Sequence, residues 1–83
     1  MLQIEIQMLG NKAREVADTF KRYKGYRPTI TPTEYIDTTP IRYESRDIKR
    51  KDTEFLLGIM VGMGYKPRME WVSYKTYTVT RIA

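Results

Sequence analysis

The chain of 83 residues carries fifteen Lys and Arg against ten Asp and Glu, a net charge of +5, with 41% apolar and 30% charged side chains. Those proportions describe one soluble globular domain, and the positive balance favours an anionic partner. With no cysteine and no histidine, disulfides and thiolate metal sites are excluded, as are the commonest general base and the commonest metal ligand.

Leu2, Ile4, Ile6 and Met8 alternate with Gln3, Glu5 and Gln7, the period-two pattern of a strand with one buried and one wet face. Gly10 interrupts it, and Asn11 suits a helix N-cap. From there Ala13, Val16, Ala17, Phe20 and Tyr23 fall at helical spacing, with Lys12, Arg14, Asp18, Lys21 and Arg22 opposite. Gly25 stands where a left-handed C′ residue belongs, and Pro28 follows as a stop. Pro28, Pro32 and Pro40 each lack an amide donor, so a strand near Thr33–Ile36 must be short, broken or at a sheet edge. Ile41, Tyr43 and Ser45 alternate with Arg42, Glu44 and Arg46 as a third strand. Asp52 is read as the cap of a second helix over 53–63, which Gly64 and Pro67 end. Met69 to Ile82, rich in Trp, Tyr, Val and Thr, predicts a long last strand bent near Ser73–Lys75.

The order β-α-β-β-α-β is that of two split βαβ units, the ferredoxin-like pattern of an α+β domain. It puts the first and third strands at the centre, both helices on one face, and the Pro-rich second strand at an edge. A rival small α+β arrangement would fold 66–82 back as a hairpin.

The halves repeat. Gly25-Tyr26-Arg27-Pro28 returns as Gly64-Tyr65-Lys66-Pro67, and the same offset of 39 pairs Ile4 with Tyr43, Val16 with Phe55, Ala17 with Leu56 and Phe20 with Ile59. These matched helical positions are the expected core. Away from them the copies diverge: Asp18, Lys21 and Arg22 of helix one correspond to Leu57, Met60 and Val61 of helix two. Gly58 and Gly62 lie beside these. The expectation is that Leu57, Gly58, Met60 and Val61 form a contact surface for a homodimer or a protein partner, since a helix apolar all round is normally covered on both sides. The plain alternative is that the chain's own C-terminal residues or the 29–40 loop cover it.

Two basic sets are expected. Lys12 and Arg14 open helix one, and Lys49, Arg50 and Lys51 precede helix two. If both strand-to-helix loops leave the sheet at one end, these five cations converge on two helix N-termini, a place for phosphate or carboxylate. The second set, Lys21, Arg22, Lys24 and Arg27 with Lys66 and Arg68, is expected at the opposite end, interspersed with Tyr23, Tyr26 and Tyr65. A merely solvated rim, and tyrosines that simply pack over the helix ends, are the blander readings. Gln3, Glu5, Gln7, Arg42, Glu44 and Arg46 on the outer sheet face make a poor base-stacking platform, which argues against an RNA-recognition module.

No catalytic chemistry is expected. Ser45 and Ser73 have no histidine to activate them. Neither Glu5 with Glu44 nor Asp47, Asp52 and Glu54 has recognisable metal-ligand spacing. Gly58-x-x-x-Gly62-x-Gly64 lies within and at the end of a helix, so it is not a phosphate-cradling loop, and no cofactor is implied. The strongest apolar run, Phe55 to Val61, is far short of the ~20 residues of a spanning helix. The N-terminus lacks the pattern of a signal peptide, and a cytoplasmic or virion-lifecycle protein is expected. The reading is a small basic, non-enzymatic protein that binds nucleic acid or a nucleoprotein through cationic loop ends and associates through helix 53–63. The alternative is an inhibitor or adaptor that grips a host protein complex, of the kind small mobile-element genomes encode.

Overall fold

A computed structural model of the chain describes residues 1–7 and 12–72. Its elements are β1 (Leu2–Glu5), α1 (Lys12–Lys24), β2 (Thr31–Ile36), β3 (Thr39–Ser45), a 3-10 turn (Arg50–Asp52), α2 (Thr53–Gly62) and β4 (Arg68–Trp71). The strands form one antiparallel sheet in the order β2-β3-β1-β4. The chain is thus a small α+β domain with a four-stranded sheet and two helices.

Alternation decides which sheet face the helices cover. Leu2, Ile4 and Ile6 point inward with Tyr43 of β3, and meet Val16 and Phe20 of α1 and Leu56 and Met60 of α2. Gln3, Glu5, Arg42 and Glu44 point the other way. There Arg42 reaches Glu5 at 3.6 Å and Glu34 at 3.3 Å, and Arg46 reaches Glu44 at 3.2 Å, so the outer face is a lattice of exposed ion pairs. Such pairs are individually worth little.

The prolines sit where the missing donor does least harm. Among the described residues β2 has one neighbour, β3, and its pairing is broken by shifts between Pro32 and Glu34 and between Glu34 and Tyr35. The hairpin closes with Ile36 opposite Thr39, and Asp37 takes φ 55 in the turn, a conformation Asp tolerates better than most residues.

Both helices end on glycine in the left-handed region, Gly25 at φ 82 and Gly64 at φ 91. After α2 the Tyr65 amide bonds the Met60 carbonyl at 3.1 Å and the Gly64 amide bonds Val61 at 3.0 Å, the paired bonds of a Schellman ending. The repeat tetrapeptide is therefore a helix stop used twice. Asn11 and Met8 lie outside the described residues, as does the predicted strand beyond Val72.

Two expectations fail here. Asp52 stands at the N-cap of α2 but makes no capping bond; its carboxylate is engaged elsewhere. The offset of 39 also misplaces Met60, which matches exposed Lys21 by sequence yet is wholly buried. In α1 the buried stripe is Val16, Ala17 and Phe20; in α2 it is Leu56 and Met60, with Phe55 and Ile59 only partly covered. α2 is rolled by nearly one residue position relative to its counterpart.

Candidate functional site

The direction of the strands decides which cations meet. In the β1–β3 register Leu2 faces Ser45 and Glu5 faces Arg42. The chain therefore leaves β1 at one end of the sheet and β3 at the other. The predicted convergence of Lys12 and Arg14 with Lys49, Arg50 and Lys51 does not occur. Antiparallel central strands send the two helix N-termini to opposite ends. The C-terminus of α1, with Lys24, instead lies beside the N-terminus of α2, with Lys49, Arg50 and Lys51. Lys12, Arg14 and Lys66 belong to the far end, where Lys12 pairs with Glu15 at 3.2 Å. Arg27 turns back along α1 and bonds Asp18 at 2.8 Å, holding the exposed Asp18 carboxyl below its usual range.

The end shared by Lys24 and Lys49–Lys51 is organised around Tyr26. Its ring stands edge-on to Phe20, 5.1 Å between centroids, which anchors it to the core. Its hydroxyl donates to Asp52 Oδ2 at 2.6 Å and accepts the Lys49 amide at 3.1 Å. Asp52, buried apart from 5% of its side chain, also takes Lys24 Nζ at 3.5 Å from Oδ1. The Tyr26 hydroxyl, and then Lys24, hold the Asp52 carboxyl below its ordinary value against the opposing effect of burial. Burial, followed by the Asp52 carboxylate, pushes the Tyr26 phenol up.

A second carboxylate fixes the neighbouring loops. Asp47 Oδ1 accepts the Thr29 amide at 2.9 Å, the Thr29 hydroxyl at 3.1 Å and the Ser45 hydroxyl at 3.3 Å. This joins the chain after α1 to the chain after β3.

The cations rest on aromatic faces. Lys49 Nζ lies 5.2 Å from the Tyr26 centroid, Lys24 Nζ 4.8 Å from Phe55, and the Arg50 guanidinium 4.7 Å from Trp71. Phe55 is in turn edge-on to Phe20 and Tyr23, each at 5.8 Å. Cation–π contact of this kind orients a charge without neutralising it. Asp52 is buried and paired with Lys24, so it dilutes the outward field less than its formal charge suggests, whereas Asp47 stays exposed and bonds only neutral donors. Lys49, Arg50 and Lys51 remain exposed. Chemically this surface offers an anion positive charge and N–H donors. Among the described residues no group of three carboxylates is arranged to hold a metal ion.

The expected protein-contact residues separate. Met60 belongs to the core and presents no surface. Leu57 is half-buried, Gly58 is exposed, and Val61 is 55% exposed. A Cβ built on Gly58 or Gly62 meets nothing within 4 Å, so no contact among the described residues requires either glycine.

Sequence reasoning missed the Tyr26–Asp52–Lys49 junction. Its partners are 26 and 23 positions apart, and the only local signal, Asp before an apolar helical run, pointed to a cap. No protein-family model, curated protein or solved structure matches the chain.

Proposed function

We propose that the chain is a ferredoxin-like βαββαβ domain that binds nucleic acid or a nucleoprotein through its phosphates, at the end formed by Lys24, Lys49, Arg50 and Lys51. The central place of β1 and β3 and the β-α-β-β-α-β order support the fold part of this reading. One observation carries the functional part: four cations gathered at one end, three of them (Lys24, Lys49 and Arg50) backed by the rings of Phe55, Tyr26 and Trp71, while the nearby Asp47 and Asp52 carboxylates are hydrogen-bonded to the fold. The far-end cations Lys12, Arg14 and Lys66, and Arg27 on the flank, are not part of this site.

Phosphate neutralisation by three or four cations has a measurable signature. Affinity should fall roughly 40- to 150-fold between 50 and 200 mM salt, from a slope of about −0.9 per phosphate. An electrophoretic shift with random single- and double-stranded probes reads it. Reversal of Lys49, Arg50 and Lys51 to Glu should abolish retention with thermal unfolding unchanged, whereas reversal of Lys12 and Arg14 should act far less. If no probe is retained even at low salt, this function is wrong.

The exposed flank of α2, with Val61 and Gly58, favours a second reading: an inhibitor or adaptor that docks on a host protein complex through that helix. Under it, Val61→Arg abolishes activity while the charge reversals leave activity intact.

A further inference from the structure

β4 stands at the end of the sheet, and its ladder fixes which backbone groups are left over. The Val72 amide bonds the Met1 carbonyl at 2.8 Å, and the Met1 ammonium bonds the Val72 carbonyl at 3.1 Å. Bonded pairs alternate with unbonded ones along an antiparallel ladder. In the register Gln3↔Glu70 and Ile4↔Met69, Met69 and Trp71 therefore direct their N–H and C=O groups away from β1. Among the described residues no strand meets them.

The side chains beside that edge are of two kinds. Met69 and Trp71 lie on the helix side, half-buried against the core. Arg68 and Glu70 are exposed on the outer face, and neither forms an ion pair among the described residues. Above the edge runs α2. Phe55 faces α1, through Phe20 and Tyr23. Leu57 and Val61 follow about 200° and 240° further round the helix, at ~100° per residue. They lie on the flank away from α1, the same side as β4, whose Trp71 already carries Arg50 from the entry of α2.

We propose that this edge pairs with the same edge of a second copy of the chain, antiparallel, about a twofold axis through Met69. The sequence Arg68-Met69-Glu70 is self-complementary in that register: Arg68 stands opposite the other copy's Glu70, and Glu70 opposite the other copy's Arg68. Directly opposed unlike charges stabilise a strand pair and like charges destabilise it. An axis one residue on, at Glu70, sets two glutamates face to face; the charges thus select one register. The Met69 amide and carbonyl bond their counterparts, and each Trp71 amide reaches the other copy's Pro67 carbonyl. Pro67 has no N–H to return, so the ladder stops there. Across the same axis the Leu57–Val61 flanks face each other and cover apolar surface that each copy leaves open. A short ladder with two small helix flanks is at the low end of specific interfaces, so the association is micromolar rather than nanomolar.

The proposal extends the reading of α2 as a contact helix and does not depend on the anion site; the two fail in different assays. Sedimentation equilibrium of the full chain across the micromolar range should give a reversible dimer. Arg68→Glu and Glu70→Arg should each weaken it about tenfold or more, because two attractive pairs become repulsive. The double exchange R68E/E70R restores opposite charges and should recover affinity close to the original. Hydrogen exchange at the Met69 and Trp71 amides should slow with rising concentration. A monomer at every concentration overturns the proposal, and if those amides are then protected, another segment of the same chain closes the edge. A dimer indifferent to all three variants, or a double exchange no better than the single ones, also overturns it.

Discussion

Replacing Met60 by alanine tests the roll of α2, on which the assignment of core and surface in the second half rests. Met60 is fully buried among Leu56, Phe20 and the inward residues of β1, while its neighbour Val61 is 55% exposed. Removing a buried methionine side chain costs about 2–5 kcal/mol, from lost transfer energy and the cavity left behind. A domain of this size has a total stability of roughly 4–12 kcal/mol, at ~0.05–0.15 kcal/mol per residue. Met60→Ala therefore removes between about a sixth and the whole of it. With a urea slope near 1 kcal/mol/M, the midpoint falls by about 2 M or more. Val61→Ala instead loses little burial and gains helix propensity of up to ~0.7 kcal/mol, so its midpoint stays level or rises. Trp71, the single tryptophan, half-buried beside the core, reports both transitions by fluorescence at low protein concentration. If the two substitutions cost the same, or Met60→Ala costs under about 1 kcal/mol at an unchanged slope, the buried stripe of α2 is not Leu56–Met60.

Alanine should destabilise at Gly25 and Gly64, whose φ values of 82 and 91 are strained for an L side chain, by about 1–2 kcal/mol each. At Gly58 and Gly62, helical with open space around the would-be Cβ, alanine should stabilise by up to ~1 kcal/mol; thermal melts of the four variants check the opposite signs. The Tyr26–Asp52 bond sets a pH profile with two limbs. Asp52 is depressed below its ordinary 3.8 when folded, so its stabilisation is complete above about pH 4 and disappears as pH falls through the folded value. Tyr26 is raised above 10.0, so its contribution is complete below pH 10 and is lost as pH rises through the folded value. Tyr26→Phe should flatten both limbs of a plot of unfolding midpoint against pH, and superimposable plots would refute the linkage.

What was legible in the sequence was whatever depends on neighbours. Alternation located β1 and β3, helical spacing located α1 and α2, and the two Gly-Tyr-x-Pro stops ended both helices. Prolines placed β2 at an edge through backbone chemistry alone. What failed depended on direction and roll, which no local pattern encodes. Placing Lys12 and Arg14 with Lys49–Lys51 needed the relative direction of β1 and β3, fixed only once they pair antiparallel. Reading Met60 as surface assumed that two similar helices lie on the sheet at the same roll. The bulky Phe55, where α1 has Val16, instead reaches sideways to Phe20 and Tyr23, and Met60 fills the space beneath.

The second half of the chain departs from local preference in two ways. Lys49, Arg50 and Lys51 crowd the N-terminus of α2, where cations oppose the helix dipole by ~0.3–1 kcal/mol each when exposed. Gly58 and Gly62 weaken the same helix by about 1 kcal/mol each against alanine. Among the described residues little offsets these costs: Lys49 and Arg50 rest on aromatic rings, Lys51 forms no ion pair, and the glycines touch nothing that a Cβ would displace. The first half also opens its helix with cations, Lys12 and Arg14, but there Glu15 of the same turn pairs with Lys12, and Lys21, Arg22 and Lys24 in the last turn of α1 stand on the side the dipole favours. Locally unfavourable choices that nothing inside the fold explains are expected at surfaces that meet something else. Here they sit on two sides of one helix. The cations cluster at its entry, where the Tyr26–Asp52 junction holds the surrounding loops in place. The apolar flank runs alongside, on the side of the β4 edge that no strand among the described residues meets. Under the two proposals, α2 is the element on which anion binding and self-pairing both bear.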